Sequence, residues 1–215
     1  MSCGCGKISV TMNTIIKNLF LDIGGVLLTN GWDRRARQAA VERFDLDFDE
    51  LNERHHLTYD TYEAGKLSLD EYLHRVIFFK KRSFRPEDFK QFILERSRPH
   101  ADMMDFVRNI KTRYNLKSVA ISNEGRELTD YRIREFNLAS IIDIFVSSCY
   151  VHLRKPDLDI YRTALEISRS EPDEVLYIDD RAMFVEVAAT LGIHGIYHKD
   201  LESTRQALAG YGLII

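Results

Sequence analysis

Short apolar segments that alternate with helical patterns constrain the fold of this chain more than any other feature. Five segments have the length and composition of interior β-strands. They are Asn18–Leu21, Ser118–Ser122, Ile144–Val146, Glu174–Asp179 and Gly195–Tyr197. Helical patterns separate several of these segments, which is typical of a parallel sheet with helices on both faces. The pattern therefore predicts an α/β fold.

Two of the helical patterns are specific enough to give boundaries. Pro156 is expected at the first position of a helix that continues through Leu158, Tyr161 and Leu165, because proline is well tolerated there. Residues 182–191 are mostly apolar and predict a tightly packed helix.

The stretch between the first two strands is too long for a simple connection. It separates Asp22 from Val119, whereas a whole strand-helix-strand unit usually needs only about 30 residues. Ser68 and Glu71 form a capping box ahead of an amphipathic helix, and a second apolar stripe follows Pro86. We therefore predict an all-helical cap over residues 32–98. The core domain is then residues 1–31 and 99–215, with a core helix starting near Pro99.

Composition narrows the range of partners. The chain has 215 residues, with 33 acidic and 30 basic side chains and a net charge of −3, which is too balanced for a nucleic-acid-binding surface. It contains no run of 18 apolar residues, so we expect no membrane partner. Nothing in the sequence indicates the oligomeric state.

Cysteine usage favours a reducing, cytoplasmic location. Only three cysteines occur, an odd number without the spacing of a disulfide framework. Cys3 and Cys5 supply two of the four ligands that structural zinc takes, so we expect no zinc site there. Residues 1–11 are mostly small and polar, and we expect either a loose leader outside the fold or a start codon misplaced ahead of Met12.

Polar side chains occur at or just beyond several predicted strands. Asp22 follows the first strand and precedes Gly24 and Gly25, which let backbone N–H groups approach an anion. The others are Ser122, Lys155, and the adjacent pair Asp179 and Asp180. In open α/β sheets, ligands bind in the crevice at the carboxyl ends of the strands. Two adjacent carboxylates repel each other unless a cation is present, and Mg²⁺ suits carboxylate and phosphate oxygens.

Each residue alone has an ordinary structural explanation. Asp22 could form a turn after a strand, Ser122 could cap a helix, and Lys155 could be a surface lysine. Asp179 and Asp180 could be a solvated helix N-terminus. Their combination, in this order and near strand ends, is what favours a phosphate site.

The motifs resemble those of the haloacid dehalogenase (HAD) superfamily, in the sugar-phosphatase-like branch with a helical cap inserted after the first strand. The resemblance covers residue 16 to the end and implies a Rossmann-like parallel sheet. It rests on Leu21-Asp22-Ile23-Gly24-Gly25-Val26-Leu27, Ile121-Ser122-Asn123, Lys155-Pro156 and Tyr177-Ile178-Asp179-Asp180.

The resemblance implies a Mg²⁺-dependent phosphatase of a small phosphorylated metabolite, with a sugar phosphate as one candidate. Asp22 would attack phosphorus and form an aspartyl phosphate. The implied metal ligands are Asp22, the carbonyl of Gly24, Asp180 directly and Asp179 through water. The implied phosphate-binding residues are Ser122, Asn123, Lys155 and Gly25.

One position departs from the family pattern. Most HAD phosphatases have a general acid two residues after the nucleophile, and here that residue is Gly24. Asp33, His55 and His56 are candidate replacements. The alternative reading is a catalytically weak or inactive protein that binds phosphate or a partner on the same scaffold.

The sequence leaves the roles of several further residues undecided. Phe184 stands where many relatives have an asparagine that steadies the last motif. Trp32, His55 and His56 are candidates for the substrate pocket, although Trp32 could equally anchor the hinge.

Two other activities are less consistent with the motifs. A haloacid dehalogenase needs no metal, which the pair Asp179 and Asp180 argues against. A receiver domain carries its acidic pair early in the chain and lacks a cap.

Overall fold

A five-stranded parallel sheet forms the centre of the molecule, in a computed structural model that describes residues 15–215. The strands are β1 (Asn18–Leu21), β2 (Lys117–Ser122), β3 (Ile144–Ser147), β4 (Val175–Asp179) and β5 (His194–Tyr197). Their order is β3-β2-β1-β4-β5, and every neighbouring pair is parallel. All five predicted strands are confirmed, each end within one residue.

Eleven α-helices are assigned in the described part of the chain. They are α1 (Arg34–Phe44), α2 (Phe48–His56), α3 (Tyr59–Glu63), α4 (Leu69–Val76), α5 (Pro86–Leu94), α6 (Ala101–Tyr114), α7 (Arg126–Glu135), α8 (Ser148–Val151), α9 (Leu158–Ser168), α10 (Ala182–Ala189) and α11 (Leu201–Ala209). Short 3₁₀ turns cover Leu138–Ser140 and Pro172–Glu174. The predicted core helix near Pro99 is confirmed as α6.

Alternating side chains of the strands build two separate cores. Leu19 and Leu21 of β1 join a cluster with Phe106 and Ile110 of α6 on one face of the sheet. Phe20, which points the other way, joins a cluster that includes Ile160 of α9. Helices therefore cover both faces, as predicted.

Helices α1–α5 lie in the chain between β1 and α6 and share a hydrophobic cluster of their own. Tyr72 and Phe89 are fully buried in that cluster. Residues 34–98 contain no strand. The capping box is confirmed: Ser68 accepts the backbone N–H of Glu71 at 3.2 Å, and Glu71 accepts the backbone N–H of Ser68 at 2.8 Å. We refer to α1–α5 as the inserted helices.

Two helix predictions need correction. Pro156 is not the first helical residue, because α9 begins at Leu158 and Asp157 caps it by accepting the backbone N–H of Asp159 at 3.0 Å. The apolar helix α10 is not tightly packed, since only Ala188 in it is fully buried. It packs on β4 and β5 at the edge of the sheet, which leaves much of its other side open to solvent.

Some expectations concern residues outside the described part of the chain. The interpretation of Cys3 and Cys5 and the expectation of a leader over residues 1–11 both lie outside residues 15–215. Within that range, no helix has both the length and the apolar character needed to cross a bilayer.

Candidate active site

Three carboxylates converge at the carboxyl ends of two adjacent strands. Asp22 directly follows β1, Asp179 ends β4, and Asp180 comes next. Each supplies an oxygen, and these oxygens lie within 4.8 Å of one another. The backbone N–H of Asp22 donates to the carbonyl of Ile178 at 2.9 Å, which continues the pairing of β1 with β4. The parallel register therefore brings these acids to one point.

Lys155 approaches the same point from the loop between α8 and α9. Its Nζ lies 2.7 Å from Asp179 Oδ2 and 3.1 Å from Asp22 Oδ1, and the residue is only 2% exposed. Burial acts to lower the pKa of Lys155, but the carboxylates of Asp22 and Asp179 raise it well above its ordinary value. Lys155 is therefore a fixed positive charge between the two acids.

Asp22 has an unfavourable environment for its ionised form. Burial raises the pKa of Asp22 to about 7, Lys155 opposes this effect, and Asp179 and Asp180 add to it. Because one ammonium faces three carboxyl groups, a second cation would stabilise the ionised form of Asp22.

Asp179 and Asp180 differ in how fully their oxygens are used. Asp179 Oδ1 accepts the backbone N–H of Arg181 at 2.7 Å, while Oδ2 accepts from Lys155 and from the hydroxyl of Tyr177. Asp180 is more open, with Oδ2 accepting from Asn30 Nδ2 at 3.2 Å. This difference agrees with the prediction that Asp180 binds a metal directly and Asp179 through water, which stays a prediction.

The two glycines after Asp22 make a tight turn beside Asp180. Gly25 has a φ of +83°, and a Cβ on it would lie 2.2 Å from Asp180 Oδ2. Its backbone N–H donates to the carbonyl of Leu28 at 2.6 Å, so that amide is already engaged. The phosphate-binding role of Gly25 and the metal-binding role of the Gly24 carbonyl stay predictions.

Ser122 and Asn123 lie at the end of β2. Ser122 is buried and pairs in register with Ser147 of β3. The side-chain amide of Asn123 donates to the carbonyl of Lys155 at 2.7 Å and accepts the backbone N–H of Lys155 at 2.8 Å. Asn123 therefore fixes the backbone that carries Lys155, and its predicted contact with phosphate stays a prediction, as does that of Ser122.

Two of the three candidate pocket residues, Trp32 and His55, contact the interior of the inserted helices. Trp32 Nε1 donates to the hydroxyl of Tyr72 at 2.7 Å, and His55 Nδ1 lies 2.7 Å from the same oxygen. Burial lowers the pKa of His55 to about 3, so its ring is neutral. His56 is exposed. Trp32 therefore packs among the inserted helices and not on the core as a hinge anchor would, and the pocket role of the three residues stays a prediction.

Two other residues singled out in the sequence have clear structural roles. Asp33 caps α1, since its side chain accepts the backbone N–H of Ala36 at 2.8 Å, and its role as a replacement general acid stays a prediction. The ring of Phe184 lies 5.1 Å from Lys155 Nζ, and its carbonyl accepts the hydroxyl of Tyr161 at 3.2 Å. Phe184 therefore packs over the lysine as a cation-π neighbour.

Sequence reasoning missed the ion pairs that two arginines form next to the site. Arg132 of α7 donates to Glu124 at 2.6 Å, and both side chains are buried. Arg154, beside Lys155, contacts Glu63 at 2.6 Å and Asp60 at 2.9 Å, which joins the core to α3. In the sequence, only Glu124 and Arg154 could have been noticed as site residues, because each lies next to a recognised motif.

Comparison with known proteins identifies the family. The sequence profile of the haloacid dehalogenase-like hydrolases matches residues 16–192. The chain belongs to this family of hydrolases. The Rossmann-like parallel sheet with helices on both faces agrees with that assignment.

Two curated relatives match at low identity. A drimenol cyclase of Aspergillus calidoustus is 26% identical over 204 residues, which cover 92% of this chain and 37% of the relative. A phosphorylated carbohydrates phosphatase of Thermotoga maritima is 30% identical over 132 residues, covering 61% of this chain and 56% of the relative. The matched regions thus span about a third to a half of these relatives.

Solved structures share the fold. A HAD-like family hydrolase from Porphyromonas gingivalis aligns with a TM-score of 0.73 at 20% identity, covering 91% of this chain and 97% of that one. A HAD family enzyme from Bacteroides thetaiotaomicron, crystallised as a magnesium complex, aligns with a TM-score of 0.70 at 20% identity, covering 86% and 93%. At these identities the likeness shows the fold.

Proposed function

We propose that this hydrolase is a Mg²⁺-dependent phosphatase that removes phosphate from a small phosphorylated metabolite, with a sugar phosphate as one candidate. The convergence of Asp22, Asp179 and Asp180 on Lys155 is the observation that carries this proposal. The name of the Thermotoga maritima relative, a phosphatase of phosphorylated carbohydrates, supports the substrate class.

The donor set is suited to Mg²⁺. Its carboxylate oxygens are hard ligands that lie close together, and their combined charge exceeds that of Lys155. In this proposal Asp22, the Gly24 carbonyl and Asp180 hold the ion directly and Asp179 holds it through water. When bound, Mg²⁺ neutralises charge on the phosphoryl oxygens.

The side chains then divide the reaction between them. An oxygen of Asp22 attacks phosphorus, the bond from phosphorus to the ester oxygen breaks, and the electron pair leaves with that oxygen. Ser122 and Lys155 hold the phosphoryl oxygens during transfer. Water then attacks the phosphorus of the aspartyl phosphate, which releases inorganic phosphate and a proton and restores the Asp22 carboxylate.

We also propose that residues 32–98 act as the cap over this site, on a core of residues 1–31 and 99–215. The inserted helices contact the core next to the motifs: the hydroxyl of Ser148 donates to the carbonyl of Glu63 at 2.7 Å, and the backbone N–H of Leu69 donates to Glu127 at 2.9 Å. Substrate selectivity would then depend on side chains of this cap.

A panel of phosphomonoesters assayed with and without Mg²⁺ tests the function. We expect phosphate release that requires Mg²⁺ and falls at least ~10³-fold in Asp22→Asn, because asparagine cannot form the acyl phosphate. Asp47→Asn is the matched control, since Asp47 only caps α2 and asparagine caps equally well.

Two results would contradict the proposal. Turnover that survives in Asp22→Asn would show that another group attacks phosphorus. Absence of turnover on every ester, with Mg²⁺ bound, would favour a protein that binds phosphate or a partner without hydrolysis.

A further inference from the structure

Arg154 and Lys155 are neighbours in the chain, but their side chains contact different parts of the molecule. Lys155 reaches into the site, where its Nζ lies 3.1 Å from Asp22 Oδ1. The side chain of Arg154 instead contacts Glu63 of α3, one of the inserted helices. Because a planar peptide unit joins the two residues, a restraint on Arg154 also limits how far the backbone of Lys155 can move.

Glu63 is the main partner of Arg154. Its Oε2 accepts from Arg154 Nε at 3.0 Å and from Arg154 Nη2 at 2.6 Å. Two donors of one planar guanidinium on the same oxygen fix the orientation of the arginine as well as its position. Asp60 also contacts Arg154 at 2.9 Å, but its side chain is 64% exposed, against 22% for Glu63. An exposed ion pair contributes little, so Glu63 supplies most of the restraint.

Backbone contacts hold the end of α3 against the segment that leads to Lys155. The hydroxyl of Ser148 donates to the carbonyl of Glu63 at 2.7 Å. Gly65 has a φ of +69°, and a Cβ on it would lie 2.2 Å from the carbonyl oxygen of Cys149. The backbone of Glu63 is therefore fixed relative to this segment, which allows its side chain to orient Arg154 accurately.

The core restrains Lys155 from the other side. Asn123 accepts the backbone N–H of Lys155 at 2.8 Å and donates to its carbonyl at 2.7 Å. Asn123 thus holds the peptide groups of Lys155 itself, whereas Glu63 holds the residue before it. The position of the lysine depends on both the core and the inserted helices.

We propose that Glu63 is a positioning residue for Lys155: it orients Arg154 and so places the adjacent ammonium where it can bind the phosphoryl oxygens of the substrate. This inference rests on the proposed phosphatase function. Electrostatic stabilisation of a transition state requires charges that are already in place, so a displaced ammonium loses much of its effect. The inserted helices then contribute to catalysis through α3, and not only to substrate selection.

Glu63→Ala tests the inference. The assays are run at pH 8, where Glu63 is ionised although burial raises its pKa to about 7. We expect kcat/KM of the Mg²⁺-loaded enzyme to fall about 10–100-fold, as small displacements of a reacting group commonly cause. Affinity for inorganic phosphate, measured by ³¹P NMR titration, should also fall. Mg²⁺ affinity, measured by isothermal titration, should not fall, because a cation that competes for the same acids has moved away.

Two further variants separate positioning from attachment of the inserted helices. Arg154→Ala should also lower kcat/KM, and adding Glu63→Ala to it should cause no further loss, because Glu63 acts through Arg154. Glu127→Ala is the matched control. Glu127 joins the core to the inserted helices at a different point, the start of α4, where it accepts the backbone N–H of Leu69 at 2.9 Å. This variant should leave kcat/KM and phosphate affinity unchanged.

The outcomes distinguish this inference from the function on which it rests. Unchanged kcat/KM and phosphate affinity in Glu63→Ala would overturn the inference, as would a further loss in the double variant or a parallel fall in Mg²⁺ affinity. If Glu63→Ala does not fold, Glu63→Gln replaces it, because glutamine keeps a hydrogen-bond acceptor but loses the charge, and a smaller loss of the same kind is expected.

Failure of the phosphatase proposal has a different signature. Absence of Asp22-dependent turnover on every ester would overturn that proposal, whereas the phosphate titration would still decide the role of Glu63. A wild type that neither hydrolyses an ester nor binds phosphate would overturn both.

Discussion

Gly25 shows how closely single residues are matched at the site. A side chain there would overlap the Asp180 carboxylate, so the turn and the acid can coexist only when position 25 is glycine. Two uncharged residues also restrain the acids: Tyr177 donates a hydrogen bond to Asp179, and Asn30 donates one to Asp180. Residues that carry no charge therefore help to orient the acids, together with Lys155.

Gly25→Ala tests this dependence. The new Cβ would displace the Asp180 carboxylate, and we expect Mg²⁺ affinity to fall about 10–100-fold, as for other groups that orient metal ligands. Isothermal titration of the variant with Mg²⁺ measures this directly.

Gly212→Ala is the matched control for the backbone. Gly212 has a similar φ of +78°, but a Cβ there would meet no atom within 4 Å. Both variants should lose about 1–2 kcal/mol of stability through left-handed strain. The overlap with Asp180 adds to this loss in Gly25→Ala, and only Gly25→Ala should weaken Mg²⁺ binding. Equal affinities in the two variants would contradict the role of Gly25.

The sequence predicted the strand-end acids but not the uncharged residues that orient them. Asp22 and Asp179 follow apolar segments whose parallel pairing brings their ends together, so local pattern was sufficient. Asn30 contacts Asp180 across 150 positions of the chain, and no local pattern encodes such a contact. The neutral state of His55 likewise depends on burial that only the fold creates.

A buried polar contact joins two of the inserted helices, α2 and α4. Tyr72 of α4 accepts a hydrogen bond from Trp32, whose N–H can only donate. This leaves the hydroxyl proton of Tyr72 for His55 of α2, a nitrogen 2.7 Å away. The bond requires an unprotonated Nδ1, so these helices depend on a neutral His55.

Acid should therefore destabilise these helices through His55. Burial lowers its folded-state pKa to about 3, with Arg37 and His56 adding to the effect, whereas an unfolded histidine titrates near 6.5. Stability is then retained above pH ~6.5 and lost as the pH falls below it, by about 2 kcal/mol at pH 5. Urea unfolding at pH 7 and pH 5 should show the wild type losing this much stability relative to His55→Gln, because Asp22, whose pKa is raised to about 7 and which gains stability in acid, is common to both.

His56→Gln is the control, because His56 is the exposed neighbour of His55. It should keep the acid sensitivity of the wild type. The same acid-induced loss in His55→Gln would show that other groups cause it.

The sequence predicted where helices and strands form more reliably than how deeply they are buried. The capping box defined the start of α4 correctly, because its hydrogen bonds are local. The exposure of α10 was not predicted, since its apolar composition does not reveal that it lies at an edge of the sheet. Gly195 of β5 allows this packing, because a Cβ there would lie 2.3 Å from Val185.

Across the whole molecule, Arg132 connects the two places where the chain passes between the core and the inserted helices. Its Nη2 donates to the carbonyl of Thr29 at 2.9 Å, its Nε donates to Ser97 Oγ at 3.0 Å, and its Nη1 pairs with Glu124. Gly31 permits this approach, since a Cβ there would lie 2.4 Å from Nη2. One buried guanidinium thus holds both connections and the loop after β2.

Arg132→Met should destabilise the entire chain by about 3–5 kcal/mol, because it leaves Glu124 as a buried carboxylate without its cation. Guanidinium denaturation measures the change, and Glu124→Gln in the same background should recover part of it. Arg162→Met, which breaks an exposed pair with Asp159, should cost about 1 kcal/mol or less. Similar costs for the two arginines would contradict this assignment.

The central position of β1 affects how the protein is made on the ribosome. β1 is synthesised before the other strands described here, yet it pairs on one side with β2 and on the other with β4, where Asn18 meets Val175. A nascent chain that has not reached Val175 leaves one edge of its middle strand without a partner. Such an edge favours aggregation, so translation stalled before β4 should produce chains that depend on chaperones.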